Sequence, residues 1–559
     1  MSSESFSDPL SFARYLFLSG TYSEAKNICL ELIKKEPENL NALFLLGQII
    51  WEEGNKEEAI NYFKKCAELN PQAVGAIRYI GVFFHERKEY ERAIHHFQDI
   101  LYKKEDITSC HALSTIYLLL GYTKEAYDYA KKASSIDSKN KYISQQQLMI
   151  SLFCDEINPR EIFDLHLNWS DRQVELIAPF IPLAPENKSP GEKIRIGYVC
   201  HDTFKQSVSF FFEPTVKNHD RLKFYITIYA TFPEEDAYAE QLKTYVDCWR
   251  NVSSLEEKEI AEIIYQDKID ILVDVTGHTA PGSSNNKLLT FAYKPAPIQI
   301  SWLAYPATTG LRTIDYRITD EWADPTGMTE AYHTEKLIRL PQGFLCYQPE
   351  ADSPEVSDAP CKSNSYITFG CFTLQSKITP EVVRIWTSIL KKVEGSRLYL
   401  KYKHFQYPDI RSAFLKRFSE NGVEEDRIQF IDFQPSYHDH LDCYRYLDVV
   451  LDPFPYNGTT STHEALWMGV PVITLAGNDH RSRVGVSILS RIDLPNLIAH
   501  SVEEYIQIAI NLSKNKEQIQ ELRKTLRPRM LNSPLTQAKE FTAQLEAEYI
   551  KLWEAFLDH

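Results

Sequence analysis

The sequence predicts an α-helical repeat array followed by two Rossmann-like α/β lobes, and three observations carry that prediction. Alanines recur at a near-constant interval through the first quarter of the chain: Ala25, Ala59, Ala93 and Ala126 lie 34, 34 and 33 residues apart. After about residue 190 the pattern changes to short apolar, β-branched-rich runs separated by helical stretches, as in a parallel sheet with crossovers. An acidic, Pro- and Ser-rich stretch, "PEADSPEVSDAPCKSNS" at 349–365, divides those runs into two sets. At 559 residues the chain has room for three or four domains of about 150 residues each.

Within the array, Gly20 and Gly54, Gly47 and Gly81, Phe63 and Phe97, and Pro37 and Pro71 recur in the same frame. The unit "ALFLLGQIIWEEGNKEEAINYFKKCAELNP" resembles a tetratricopeptide repeat, with small residues where two antiparallel helices touch and a proline that ends the second. Four such units are expected over 8–140, within a repeat domain of 1–140. They offer a groove for a protein partner or substrate and a surface for homo-oligomer contacts; a plain α-solenoid spacer is the alternative. Residues 141–190 read as a helical linker, with a boundary composition in "PENKSPGEK" at 185–193.

The first α/β lobe is expected over 191–348, with strands in "IRIGYVC", "FYITIYAT", "IDILVDV" and "PIQISWLAY". The connector 349–365 leads to a second lobe over 366–534, with strands in "YITFGCF", "RLYLKY", "RIQFID", "VVLDPF" and "PVITLAG". The tail 535–559 has apolar residues at helical spacing and reads as a docking helix. Two doubly wound lobes in tandem open a cleft at the C-terminal ends of their strands, suited to a nucleotide on one side and a second substrate on the other.

Composition narrows the function class. A net charge of -16 argues against sequence-independent binding to nucleic acid or anionic membrane, because both require a basic footprint. The start "MSSESFSDPL" lacks the charged and apolar regions of a secretory signal, and no apolar run approaches the roughly 18 residues of a membrane span. The expected setting is cytoplasmic, or nucleocytoplasmic in a eukaryote. Ten cysteines without a CxxC pair fit reduced, packed thiols. The N-x-S/T matches, such as those at Asn168 and Asn457, are then chance hits.

The stretch with most chemistry is "DPFPYNGTTSTHEALWMGVPVITLAG" at 452–477. Asn457-Gly458 signals a turn, Thr460 or Ser461 can cap the following helix, and Ser461 with Glu464 fits a capping box. A strand, a glycine turn and a helix start rich in hydroxyls also present free N–H groups, O–H donors and the positive end of a helix dipole, as a diphosphate requires. No Walker lysine follows, so a P-loop is disfavoured.

Together with the repeats, "IRIGYV", "IDILVDVTGHTA", "KPAPIQISWLAYPATTGLRTIDYRITDEWADP", "ITFGCFTLQSKITPEVVRIWTSIL" and the 452–477 stretch resemble the O-GlcNAc transferase and SPINDLY family of protein O-glycosyltransferases. The resemblance implies a GT-B pair of lobes and an inverting, metal-independent transfer of a sugar from a nucleotide donor to Ser or Thr of proteins. No cofactor is implied, since the nucleotide sugar is a substrate. Lys377 matches the family lysine that contacts the donor diphosphate; without a metal, a fixed cation must offset the charge on the leaving group. Gly458, Thr459, Thr460 and Ser461 match the diphosphate turn, Glu464 an acidic position at the ribose, and His440 a histidine near the base. His438 and His440 form an H-x-H pair, which lacks a third spaced metal ligand. Ala304 and Pro306 match a loop near the sugar. Gly277, His278 and Thr279 form a loop on the same cleft, His278 equally readable as a structural hydrogen-bonder.

Two departures matter. Many family members have a histidine where this chain has Gln206, and glutamine cannot take a proton near neutral pH. His201, Asp202, proton loss through water or a donor phosphate oxygen, or low activity remain as alternatives. Thr459 stands where animal O-GlcNAc transferases have a histidine, and the motifs favour the SPINDLY branch, whose plant members use GDP-fucose. Tyr456 is bulky where an N-acetyl group would fit, so UDP-GlcNAc and GDP-fucose both stay open as donors. The competing readings are a repeat scaffold with catalytically silent lobes, and transfer to asparagine or another acceptor.

Overall fold

The computed structural model describes residues 8–180, 192–279 and 285–558. The chain divides into two compact units, one of residues 1–120 with 128–136, the other of 121–127 with 137–559.

The first unit is built from paired helices: Pro9–Leu18 with Tyr22–Lys35, Leu40–Glu52 with Lys56–Leu69, Val74–Glu86 with Tyr90–Lys103, and Ile107–Leu119 with the unit's part of Thr123–Ile136. The periodic alanines Ala25, Ala59, Ala93 and Ala126 are completely buried. The glycine period has a packing cause, since a Cβ on Gly47 would lie 2.8 Å from the Phe63 ring, and Gly81 stands in the same relation to Phe97. Pro37 and Pro71 follow two residues after the helix ends Lys35 and Leu69, where the chain must leave the helix. Asn39, Asn55 and Asp106 cap the helices Leu40–Glu52, Lys56–Leu69 and Ile107–Leu119 with side-chain acceptors.

In the second unit the helices Lys141–Ser151 and Pro159–Val174 precede the sheets, the latter opened by a capping box between Asn158 and Glu161. Of the expected boundary 185–193, residues 185–191 lie outside the described residues. The first sheet comprises β1 (Ile194–Cys200), β2 (Phe224–Ala230), β3 (Cys248–Asn251), β4 (Ile271–Asp274), β5 (Ile298–Ser301), β6 (Tyr316–Thr319) and β7 (Lys336–Arg339). Its order is β3-β2-β1-β4-β5-β6-β7, all parallel. The second sheet holds β8 (Thr368–Cys371), β9 (Arg397–Leu400), β10 (Ile428–Phe430), β11 (Val449–Leu451), β12 (Val472–Leu475) and β13 (Ile498–Ala499). These run β10-β9-β8-β11-β12-β13, again all parallel.

Both sheets therefore have the doubly wound order, with topological switch points between β1 and β4 and between β8 and β11. Nine of these strands coincide with the apolar runs of the sequence. The strands β3, β6 and β7 do not, because charged residues such as Arg250, Arg317 and Lys336 interrupt their apolar runs, nor does β13, which is only two residues long.

The lobes are joined through buried polar groups. The Asp324 carboxylate lies 2.6 Å from His480 Nδ1, and Asp320 accepts from Ser487 Oγ at 2.7 Å and pairs with Arg491 at 3.3 Å. The C-terminal helix Ala538–Leu557 returns to the first lobe, where Glu546 accepts from the Asp220 amide at 2.7 Å and lies 2.9 Å from His219 Nδ1. In the second lobe Arg417 is buried, with Nη1 donating to Gly121 O at 2.9 Å and the guanidinium 5.1 Å from the Tyr122 ring. Among the described residues, no helix is long and apolar enough to cross a membrane.

Candidate nucleotide-sugar site

The C-terminal ends of the four switch-point strands bring the sequence-selected residues together. His201 and Asp202 follow β1, Gly277 to Thr279 follow β4, Lys377 follows β8, and the turn from Tyr456 to Ser461 follows β11. This is where open α/β sheets leave a crevice for ligands.

The turn after β11 is built on Asp452, whose Oδ1 accepts from the Gly458 amide at 2.7 Å and whose Oδ2 accepts from Thr474 Oγ1 at 2.8 Å. Asn457 Nδ2 donates to Pro453 O at 3.0 Å, and its Oδ1 accepts from the Gly485 amide at 3.3 Å. A Cβ on Gly458 would meet Ser461 Oγ and Thr462 Oγ1 at 2.7 Å, so the chain passes too close to its own helix start for any larger residue.

The helix runs from Thr460 to Trp467 with Thr459 at its N-cap, and no side chain caps it. This corrects the capping-box expectation: the Glu464 carboxylate is drawn instead to Tyr437, Tyr444 and His440, which out-compete a backbone amide. Among the described residues the amides of Thr459 to Thr462 have no acceptor, which leaves a row of N–H donors at the positive end of the helix. Thr460 Oγ1 reaches Ser207 O of the first lobe at 3.4 Å.

Lys377 belongs to the same cradle. Its ammonium donates to Asn457 O at 2.7 Å and sits 3.7 Å over the Tyr456 ring. Burial pushes Lys377 down to about 8, opposed by the charge of Asp452, whose own carboxyl burial raises to about 7. Tyr456, whose bulk raised the question of sugar fit, turns its ring to Lys377 and to Phe153, 5.2 Å away.

His440 and Glu464 form the adjoining wall. Glu464 is buried and accepts from Tyr437 at 2.8 Å and Tyr444 at 3.1 Å, and His440 Nε2 lies 3.0 Å from it. Burial alone would raise Glu464, but His440 and the two phenols hold it below the usual carboxylate range. The other His440 nitrogen is 2.5 Å from Lys401 Nζ, so both ring nitrogens are engaged. His438 pairs with Asp439 at 3.6 Å, apart from His440.

Across the cleft, Asp202 is buried and pushed up to about 7 by that burial, with a hydrogen bond from the Gln206 side chain opposing the rise. The His201 ring packs on Phe232 and Phe204, burial lowers its pKa, and its buried Nδ1 has no hydrogen-bond partner among the described residues. Of the two readings of His278, ligand or structural hydrogen-bonder, its surroundings match the second. It is fully buried among Trp169, His166 and Tyr305, with Nε2 donating to Thr309 O at 2.8 Å, and burial drives its pKa well down.

Gly277, at φ +58°, donates to Asp274, and Thr279 Oγ1 donates to Thr276 O. Ala304 is partly exposed, whereas Pro306 is buried and lines a small cavity with Leu152, His480 and Arg481. Sequence reasoning missed Asp452, Lys401, Tyr437, Tyr444 and Arg481, and read Asn457 only as a turn residue. Asp452 and Lys401 each stand directly beyond a strand, which was the available signal; Tyr437, Tyr444 and Arg481 give none.

The family model for glycosyl transferase family 41 matches residues 171–350 and 361–545, and a tetratricopeptide-repeat model matches 40–72 and 107–140. A barley (Hordeum vulgare) protein named probable UDP-N-acetylglucosamine–peptide N-acetylglucosaminyltransferase SPINDLY is 40% identical over 427 residues, 76% of this chain and 45% of its own. The Arabidopsis thaliana protein of the same name is 39% identical over 425 residues, 75% and 46% of the two chains. The chain thus spans less than half the length of these curated relatives. A solved structure of a mutant form of the Thermobaculum terrenum O-GlcNAc transferase superposes with a TM-score of 0.76 at 30% identity, covering 98% of this chain and 97% of that one. With a tetratricopeptide array, two parallel-sheet lobes of GT-B type and a family match over most of its length, this chain belongs to glycosyl transferase family 41.

Proposed function

We propose that the protein is an inverting O-glycosyltransferase that moves a sugar from a nucleotide donor to a Ser or Thr hydroxyl of a protein held by the repeats. The observation that carries this reading is the cradle of Lys377 and the free amides of Thr459 to Thr462 at the β8/β11 switch point. In the proposed step the acceptor oxygen bonds to the anomeric carbon as the bond to the β-phosphate oxygen breaks. The nucleoside diphosphate leaves onto Lys377 and the amides, which offset its charge without a metal. Asp202, lifted by burial toward neutral pH, receives the hydroxyl proton where Gln206 cannot.

The plant relatives are named for UDP-N-acetylglucosamine, and the SPINDLY-type motifs keep GDP-fucose beside it as donor. Incubating the protein with each donor and candidate acceptor peptides, with mass spectrometry of the products, tests the proposal. Transfer from either donor that disappears in Lys377→Ala supports it; unchanged turnover in that variant sinks the assignment. Gln206 favours a second reading, a repeat scaffold with silent lobes. Donor hydrolysis by the purified protein counts against that scaffold.

A further inference from the structure

We infer that Arg481 is a positioning residue that ties the helical linker to the diphosphate cradle, so that the linker turn 151–157 is a working part of the donor site. The inference rests on the proposed donor-site reading of Lys377 and the 457–462 turn. Arg481 is buried, and its guanidinium donates to three carbonyls of that linker turn: Ser151 O at 3.1 Å, Leu152 O at 2.7 Å and Ile157 O at 3.1 Å. Its Nε donates to the Asp479 carboxylate at 2.8 Å. The backbone of Arg481 then accepts from the Asn457 amide at 3.0 Å, and Asn457 O in turn receives the Lys377 ammonium at 2.7 Å.

Asn457 transmits position because it has little freedom of its own. Its amide, its carbonyl and both side-chain polar atoms are all hydrogen-bonded, to Arg481, Lys377, Pro453 and Gly485. The same linker turn touches the cradle once more, where Phe153 packs on Tyr456, the ring beneath Lys377. Two independent contacts therefore converge from one turn on one lysine, and a contiguous network of this kind is a coupling claim that a thermodynamic cycle can test.

The test measures UDP and GDP binding by titration calorimetry to wild type, Arg481→Met, Lys377→Ala and the double variant. If Arg481 acts through the Lys377 cradle, Arg481→Met weakens nucleotide binding about tenfold in the wild-type background and less than about twofold in Lys377→Ala, a coupling within the range of connected residues. Arg481→Lys, which keeps a cation at the same carbonyls, recovers part of the affinity and carries the same cycle if Arg481→Met does not fold. A purely structural role gives a different result, a reduced number of binding-competent molecules with unchanged Kd, and overturns the proposal. Equal losses in both backgrounds overturn it as well. Wild-type protein that binds neither nucleotide overturns the donor-site reading itself, and this inference with it.

Discussion

Tyr305 donates its hydroxyl to His166 Nε2 at 2.6 Å, while His166 Nδ1 donates to Ile162 O at 2.7 Å, so the loop after β5 is fastened to the helix Pro159–Val174 through a neutral imidazole. Burial pushes His166 down to about 4 from 6.5. A histidine with a lowered folded pKa binds fewer protons than in the unfolded chain, so its contribution is present above pH 6.5 and is lost as pH falls toward 4. Acidification across that window is expected to remove about 3 kcal/mol. Thermal melts between about pH 7 and 4.5 check this, and His166→Gln flattens the slope.

The pH dependence of turnover follows from the two faces of the cleft. Asp202 must be ionised to accept a proton and lies at about 7, whereas Lys377 must be protonated to meet the diphosphate and lies at about 8. If these are the groups that act in the proposed step, the profile of kcat/KM is expected to be a narrow bell, rising through about pH 7 and falling above about pH 8. In Asp202→Asn the acid limb should vanish along with most of the rate; an acid limb that survives assigns it to another group.

Glu464 is the common acceptor of Tyr437, Tyr444 and His440. Glu464→Gln removes the charge while keeping the side-chain shape. Donor KM is expected to rise about tenfold, the scale of one charged hydrogen bond, with little change in Tm. An unchanged KM for both UDP and GDP sugars would remove Glu464 from the donor wall.

Gly458 offers a steric test. A Cβ there would lie 2.7 Å from Ser461 Oγ and Thr462 Oγ1 and 3.1 Å from Asp452 Oδ1. Gly458→Ala should displace the turn at a stability cost of about 1–3 kcal/mol and weaken nucleotide binding far more than Tm suggests. Calorimetry of UDP and GDP binding beside a thermal melt separates the two effects.

The Asp324 pair with His480 crosses the lobes in a buried setting. Burial alone would raise Asp324, but His480 and His333 hold it well below the usual carboxylate range. Asp324→Ala removes the acceptor from both histidines and is expected to cost about 3 kcal/mol, read as a lower Tm.

Legibility in the sequence followed pattern strength. The repeat array and nine strands declare themselves because burial imposes a period on them, as Ala25, Ala59, Ala93 and Ala126 do by being fully enclosed. Strands β3, β6 and β7 are no shorter than several that were legible, but Arg250, Arg317 and Lys336 break their apolar runs, and β13 has only two residues. The 458–461 turn was readable because its chemistry is written in consecutive residues, whereas Lys377 was singled out by its match to the family motif. Their supports were not: Asp452, Arg481 and Tyr437 act through contacts between segments distant in the chain, and nothing local marks such a partner. Ser461 and Glu464 failed as a capping box for the same reason, since Tyr437 and Tyr444 compete for the carboxylate from another segment.

Arg417, buried against Gly121 and Tyr122, has a practical consequence for dissecting the molecule. A cut after the last repeat helix, at residue 137, would follow the sequence period yet leave a guanidinium in the second unit without the Gly121 carbonyl that receives it. Burial already pushes this group down to about 10. A truncated catalytic fragment that begins at Gly121 keeps its own seam closed, whereas one that begins at 137 exposes that seam to water and to proteases.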